Sequence, residues 1–301
     1  MTEYKQDDGD GHSITYLDTD GYTTCTFGKP TEIAKRIREM TNFKCRPDDV
    51  FICAPVKSGT HWTWEIISMM FKGKAETIER SKIENMLEGS SWDLLESLPS
   101  PRVLNTHVYY SRLPEKAKEL GCKMIYVLRN PKDLAVSLYN HTKGITLYNY
   151  DGKWDHFLPL FLQGRTEYNS WFEYVLEWER EMSTSPELPI HLVYYEDLKE
   201  NSLLEVSRLG RFLGVDDKDG LFEAISRKCQ FDNMAKDKQE YLYPCGDEET
   251  FSFYRKGDVG DWKNWFTVAQ NEHFDKVYSK MMKTSKHKFR YERMKQMDNK
   301  L

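Results

Sequence analysis

The sequence predicts an α/β fold: a single domain with a mainly parallel central sheet flanked by helices. Two observations lead to it. Short apolar runs of about five residues alternate with segments whose apolar residues recur at three- and four-residue spacing. One such run, Val50 to Ala54, stops at Pro55 and is followed by the small loop Lys57-Ser58-Gly59-Thr60 and then a helical pattern. Strand, loop and helix in that order form a phosphate-cradling unit. No internal repeat or low-complexity linker divides the 301 residues.

The elements follow in chain order. Residues 1–10 are polar and read as flexible. Thr31 to Met40 reads as a helix with Ile33 and Ile37 on one side. Asp48 to Pro55 is a short buried strand, and His61 to Gly73 is a helix closed by its glycine. Arg102 to Tyr109 and Cys122 to Asn130 are the next two strands. Asn130, Pro131 and Asp133 then form a strong helix start, with a cap, a proline at the first position and an acid at the third. Asp133 to Thr142 continues as helix. Asn169 to Met182 is a longer helix with Trp171, Val175 and Trp178 on one stripe. Pro189 to Leu198 is a fourth strand, and Ser202 to Gly214 a helix ended by glycine. Ligands of such folds sit at the carboxyl ends of the strands, where every candidate residue below falls.

Composition narrows the function. Aromatics make up 14% and the net charge is −5, so a core and a pocket for a flat apolar ligand are affordable, while sequence-blind nucleic-acid binding is disfavoured. No stretch approaches the ~20 apolar residues of a membrane helix, and the acidic start "MTEYKQDDGDGHS" has neither signal-peptide nor transit-peptide character. Cys25, Cys45, Cys53, Cys122, Cys229 and Cys245 are irregularly spaced without a C-x-x-C pair. They read as reduced thiols of a cytoplasmic protein with no metal site.

The loop at 57–60 suits an anion. Gly59 lets the backbone approach, Ser58 and Thr60 donate hydroxyls, and Lys57 brings a charge. Taken alone, K-S-G-T describes an anion site or an ordinary turn, and the nucleoside-triphosphate pattern G-x-x-x-x-G-K-S/T is absent. The neighbouring residues distinguish these. "VKSGTHW" resembles the P-K-S-G-T-T-W loop of the cytosolic sulfotransferases. "YVLRNPKDLAVSLYN" is similar to their segment that runs from an arginine to a serine. "FYRKGDVGDWKNWFTVAQNEHFD" closely resembles their C-terminal R-K-G-x-x-G-D-W-K-N-x-F-T signature. "NTHV", "YYEDLKEN" and "WDHFLPLFLQG" match as well, and the likeness runs from about Lys29 to about Phe289. It implies a sulfotransferase domain at 29–289, an N-terminal segment at 1–28 that is partly flexible, and a tail at 290–301.

The resemblance implies 3′-phosphoadenosine 5′-phosphosulfate (PAPS) as sulfonate donor, with 3′-phosphoadenosine 5′-phosphate (PAP) as product and no metal. The loop residues Lys57, Ser58, Gly59, Thr60 and His61 would hold the phosphosulfate, with Lys57 on the bridging oxygen. Trp62, which could also be core, would stack on adenine. Tyr195, Cys229, Phe231 and Met234 would lie beside that ring. Arg129, Ser137, Arg255, Lys256 and Gly257 would clamp the 3′-phosphate, where an arginine fork suits a dianion. Phe253 joins this cofactor set. His107 ends a strand, where a lone histidine is often structural. The family keeps its base at this position, and a pKa of about 6.5 suits proton abstraction. Asn105, Thr106 and His107 would meet the acceptor, with Asn105 orienting the sulfonate.

The acceptor is expected to be a small phenol, steroid or other hydrophobic alcohol. Tyr139, Tyr148 and Tyr243 are candidate contacts, and Gln239 to Phe253 a candidate cap. Lys263, Thr267, Val268 and Glu272 match the family's dimer segment and imply a homodimer. A binding protein of the same fold with weak or no turnover is the alternative, and a small-molecule kinase lacks its motif.

Three positions depart from the family pattern. Val56 stands where proline is usual, which loosens the loop. His61 replaces a threonine. Asn105 replaces a lysine that many members place near the sulfonate, removing a charge. One expectation is that His61 compensates for that loss.

Overall fold

The computed structural model of the chain describes residues 2–25, 28–241 and 253–293. In chain order its elements are strands β1 (Thr2–Asp7), β2 (Ser13–Thr19) and β3 (Tyr22–Thr24), helix α1 (Pro30–Glu39), strand β4 (Val50–Cys53), helices α2 (Thr60–Lys72) and α3 (Trp92–Ser97), strand β5 (Val103–Thr106), helix α4 (Glu115–Glu119), strand β6 (Lys123–Leu128), helices α5 (Pro131–Gly144), α6 (Trp154–Leu162) and α7 (Trp171–Thr184), strand β7 (Ile190–Tyr194), and helices α8 (Tyr195–Glu200), α9 (Ser202–Leu213), α10 (Leu221–Lys228), α11 (Phe231–Asp237) and α12 (Val268–Met281).

The central sheet is parallel, in the order β5-β4-β6-β7. Val50 faces Val103 on one side and Lys123 on the other, and Met124 faces Ile190. All residues of β4 and β5 are buried, as expected for strands covered on both faces. One apolar cluster, with Phe51, Leu104 and Tyr126, lies on one face, and a second, with Ile52, Ile125 and Val193, lies on the other. The chain leaves β4 toward β5 on one side and later adds β6 on the other. This opens a crevice beyond the carboxyl ends of β4 and β6.

A buried ion pair fixes the start of the sheet. Arg102 donates through Nε to Asp49 Oδ1 at 2.7 Å and through Nη2 to Asp49 Oδ2 at 2.6 Å. The same guanidinium also donates to the carbonyls of Leu95 and Lys44. This locks the approach to β4 and β5 together.

Two expectations need correction. The first residues are not without regular structure: β1 to β3 form an antiparallel sheet, and Ile14, Tyr16 and Leu17 of β2 join the main core. The strand β1 shows almost no apolar alternation because Gln6 is its one buried residue, so its sequence resembles a polar tail. The fourth strand is also shorter than expected. It ends at Tyr194, and Tyr195 begins helix α8.

Candidate functional site

The loop after β4 owes its shape to two residues with positive φ, Lys57 at 69° and Gly59 at 107°. Gly59 is required for a second reason: a Cβ there would lie 2.8 Å from the Tyr195 ring. Among the described residues no side chain caps α2, which starts just after this glycine, so its first-turn N–H groups have no side-chain partner there. Gly59, Thr60, His61 and Trp62 line a cavity at the strand ends. Ser58 is wholly buried behind it, and its Oγ has no partner among the described residues.

The end of β6 supplies Arg129. Its guanidinium donates to the carbonyls of Lys57 and Asp258 and lies 4.4 Å from the centre of the Tyr195 ring. The helix start predicted at Asn130 forms, with the Asn130 side chain accepting from Asp133 N at 2.9 Å. Asp133 also anchors a distant segment. Its carboxylate accepts from Gly260 N at 2.7 Å and from Trp262 N at 2.8 Å, which docks residues 255–264 beside α5. That brings Arg255, Lys256 and Gly257 into the cavity opposite Arg129 and Ser137. Arg255 and Lys256 each donate to Asp261 at 2.6 Å. Burial raises the Asp261 carboxyl, but the bonds from Lys256, Asn264 and Arg255 outweigh it and hold it down to about 2. Two cations thus share one carboxylate and keep a net positive charge. Phe231 packs so closely on Gly257 that a Cβ there would lie 2.0 Å from its ring.

Trp62 and Tyr195 meet edge to face at 5.6 Å, and Cys229, Phe231 and Met234 line the same end of the cavity. Cys229 presents a buried thiol against Met69 Sδ at 3.7 Å, with its pKa raised by burial.

The other end holds His107. Its Nδ1 lies 2.8 Å from the Ala54 carbonyl, so Nδ1–H donates there and Nε2 carries the lone pair. Its backbone N donates to Glu88 Oε1 at 2.8 Å. Burial first, then the positive charges of Lys82 and Lys57, push its pKa down to about 3 despite the Ala54 bond. The imidazole is therefore neutral at neutral pH.

Lys57, Gly59, Thr60, His61, Trp62, His107, Arg129, Ser137, Tyr195, Cys229, Phe231, Met234, Phe253, Arg255, Lys256 and Gly257 thus share one cavity. Several expected residues do not line it. Thr106 is buried, and its hydroxyl accepts from Val108 N, shaping the turn into His107. Tyr139 donates to the Gly152 carbonyl and packs against Trp154, Phe157 and Trp265, away from the cavity. Tyr148 stands behind the cavity-lining His141. Tyr243 and most of the expected cap lie outside the described residues.

Asn105 does not line the cavity either, and this changes the meaning of its missing charge. Its Oδ1 accepts from Lys82 Nζ at 2.8 Å, and its Nδ2 donates to the Lys82 carbonyl at 3.0 Å. Lys82 also donates to Thr60 Oγ1 at 3.2 Å and lines the cavity. An ammonium is therefore present beside position 105, delivered from another element. The surroundings of His61 disfavour a charge on its ring. Burial, with Lys82 and Lys57 next, holds its pKa well below the usual histidine value, and its ring stacks on Phe253 at 5.3 Å.

Sequence reasoning missed Lys82, His141 and Glu167, all of which line the cavity. The Ser81–Glu84 capping box was a readable sign of a turn there, but nothing local shows that Lys82 is buried. Burial raises the Glu167 carboxyl to about 7, against hydrogen bonds from Tyr148 and Cys25.

Comparison with known proteins is consistent along the chain. Residues 47–286 match the model of the sulfotransferase domain. Sulfotransferase 1B1 of Canis lupus familiaris is 38% identical over 275 residues, covering 86% of this chain and 92% of the relative. Sulfotransferase 1A1 of Rattus norvegicus is 38% identical over 273 residues, covering 86% and 93%. Among solved structures, mouse sulfotransferase SULT7A1 complexed with PAP matches with a TM-score of 0.74 and 29% identity, covering 89% of this chain and 94% of that one.

Proposed function

The chain belongs to the sulfotransferase-domain family and is a PAPS-dependent sulfotransferase, and we propose that His107 is the base with which it sulfonates a hydroxyl of a small hydrophobic acceptor. One observation carries the reading of the base. A neutral His107, its Nδ1–H held by the Ala54 carbonyl, lines the same cavity as Lys57 and the uncapped start of α2.

The residues present fit an anionic nucleotide. Ser58 Oγ, Trp62 Nε1 and Arg129 Nε are buried and unpartnered among the described residues, and a Cβ at Gly59 or Gly257 would collide with the Tyr195 or Phe231 ring that lines the cavity. Arg129, Ser137, Arg255 and Lys256 would hold the 3′-phosphate. Trp62, Tyr195, Phe231 and Met234 would enclose adenine. The loop and Lys57 would hold the 5′-phosphosulfate.

In the reaction, His107 Nε2 takes the acceptor's hydroxyl proton as the acceptor oxygen bonds to sulfur. The bond from sulfur to the bridging oxygen breaks, and its electron pair stays on the 5′-phosphate. Lys57 steadies that charge from within the loop. The products are a sulfate ester and PAP. Ile83 and Met86 line the same cavity as His107 and would contact an apolar acceptor body, with His141 and Glu167 as its polar neighbours.

A homodimer and a cytoplasmic location complete the proposal. Val268 is 76% exposed at the start of α12, an unusual setting for a large apolar side chain. Thr267 caps the helix there with Gln270. Lys263 pairs with Glu292 of its own chain, so its charge is already shared. Among the described residues, no helix is long and apolar enough to cross a membrane.

Thermal shift tests the nucleotide assignment. PAP should raise the melting temperature at micromolar concentration and ATP with magnesium should not; the reverse order would overturn it.

A further inference from the structure

We propose that Lys82 is a catalytic residue whose ammonium contacts the sulfonate as it passes from the loop at 57–60 to the acceptor on His107. This rests on the reaction proposed above.

The first support is burial without a counter-ion. Lys82 is 4% exposed, and no carboxylate among the described residues forms an ion pair with it. A buried cation with only neutral partners is costly, and an arriving anion would offset that cost. Of the three donors on the ammonium, Thr60 Oγ1 and Asn105 Oδ1 take two, leaving one for the cavity that Lys82 lines.

The second support is position. Thr60 is the first residue of α2, at the anion loop, and Asn105 lies two residues before His107 on the adjoining strand. The ammonium therefore bridges the donor's cradle and the base. A group travelling between them passes this point.

The third support is preorganisation. Asn105 holds Lys82 at both ends, by its carbonyl and by its ammonium. The Ser81–Glu84 capping box fixes the turn that carries it. A fixed donor aimed at developing charge needs no rearrangement when the sulfonate flattens in transit. Burial pushes the Lys82 ammonium down to about 8, against the attraction of Glu88, Cys25 and Glu167, and a sulfonate beside it would favour the charged form.

The test separates turnover from nucleotide binding. Lys82→Met should lower kcat by about 10²- to 10³-fold, the scale of removing one oxyanion donor. PAP, which lacks the sulfonate, should bind Lys82→Met with wild-type affinity. The double variant Lys82→Met/Asn105→Lys should recover much of the lost rate by returning an ammonium to the same place. Asn105→Lys alone should lower kcat, because it sets a second cation beside the first. That single variant decides the matter if Lys82→Met does not fold. Wild-type kcat in Lys82→Met, an equal loss of PAP affinity and kcat, or a rise in kcat with Asn105→Lys alone would overturn the assignment. Failure of the underlying reaction is distinguishable: it would appear in the wild-type protein as PAP binding without transfer.

Discussion

Gly257→Ala should weaken PAP binding by displacing the turn that carries Arg255 and Lys256. The added Cβ would lie 2.0 Å from Phe231 Cδ2. Ordinary carbon contacts begin near 3.5 Å, so the ring or the turn must retreat by about 1.5 Å. The residue also sits at a φ of 64°, in the left-handed region. An alanine there costs roughly 1–2 kcal/mol before any contact is counted. A shift of that size removes at least one charge-assisted hydrogen bond to the 3′-phosphate, worth about 1.5–3 kcal/mol. The expected loss of PAP affinity is about 10- to 100-fold. Calorimetric titration of wild type, Gly257→Ala, Phe231→Ala and the double variant measures it. The double variant should lose less than the sum of the single losses, because removing the ring relieves the clash. A folded Gly257→Ala that binds PAP like wild type would refute the reasoning.

Three other perturbations follow from the same geometry. Arg102→Met leaves Asp49 buried and unpaired and should destabilise the fold by about 3–5 kcal/mol, read by denaturant unfolding. Glu167→Gln should stabilise the ligand-free protein more at pH 8 than at pH 5. The folded pKa of about 7 lies above the ordinary glutamate value of 4.5, so the wild-type fold loses stability as pH rises between them, and glutamine does not; melting temperatures at the two pH values check the sign. His61→Thr should change kcat equally in the wild-type and Asn105→Lys backgrounds, because a neutral ring stacked on Phe253 supplies no charge to compensate; a larger loss in one background would restore the linkage.

The parts of the site that were legible in the sequence are those carried by contiguous residues. Lys57 to Trp62, Arg129 to Ser137 and Arg255 to Gly257 each lie in one contiguous motif, so the family resemblance of those motifs, rather than their spacing, singles them out. His107 was legible only through the resemblance, because a lone histidine at a strand end is often structural. Lys82 was not, because its role depends on a turn meeting a strand 23 residues later, and a lysine between serine and isoleucine looks like surface. Tyr139 misled in the opposite way: an aromatic on the right helix faced the core. The N-terminal sheet escaped notice because its outer strand buries only Gln6. Asp133 was read as a helix-start acid, and it is one, but its second task of docking Gly260 and Trp262 crosses 127 and 129 positions of sequence.

Sulfonate transfer itself tests the central claim most directly. Labelled PAPS would be offered with a panel of phenols, steroids and alcohols to the wild-type protein and to His107→Gln, with PAP affinity measured for both. Wild type should transfer sulfonate to at least one acceptor, and His107→Gln should lose about 10²- to 10⁴-fold of that rate at unchanged PAP affinity. Tight PAP binding without transfer to any acceptor, or undiminished transfer by His107→Gln, would contradict that claim.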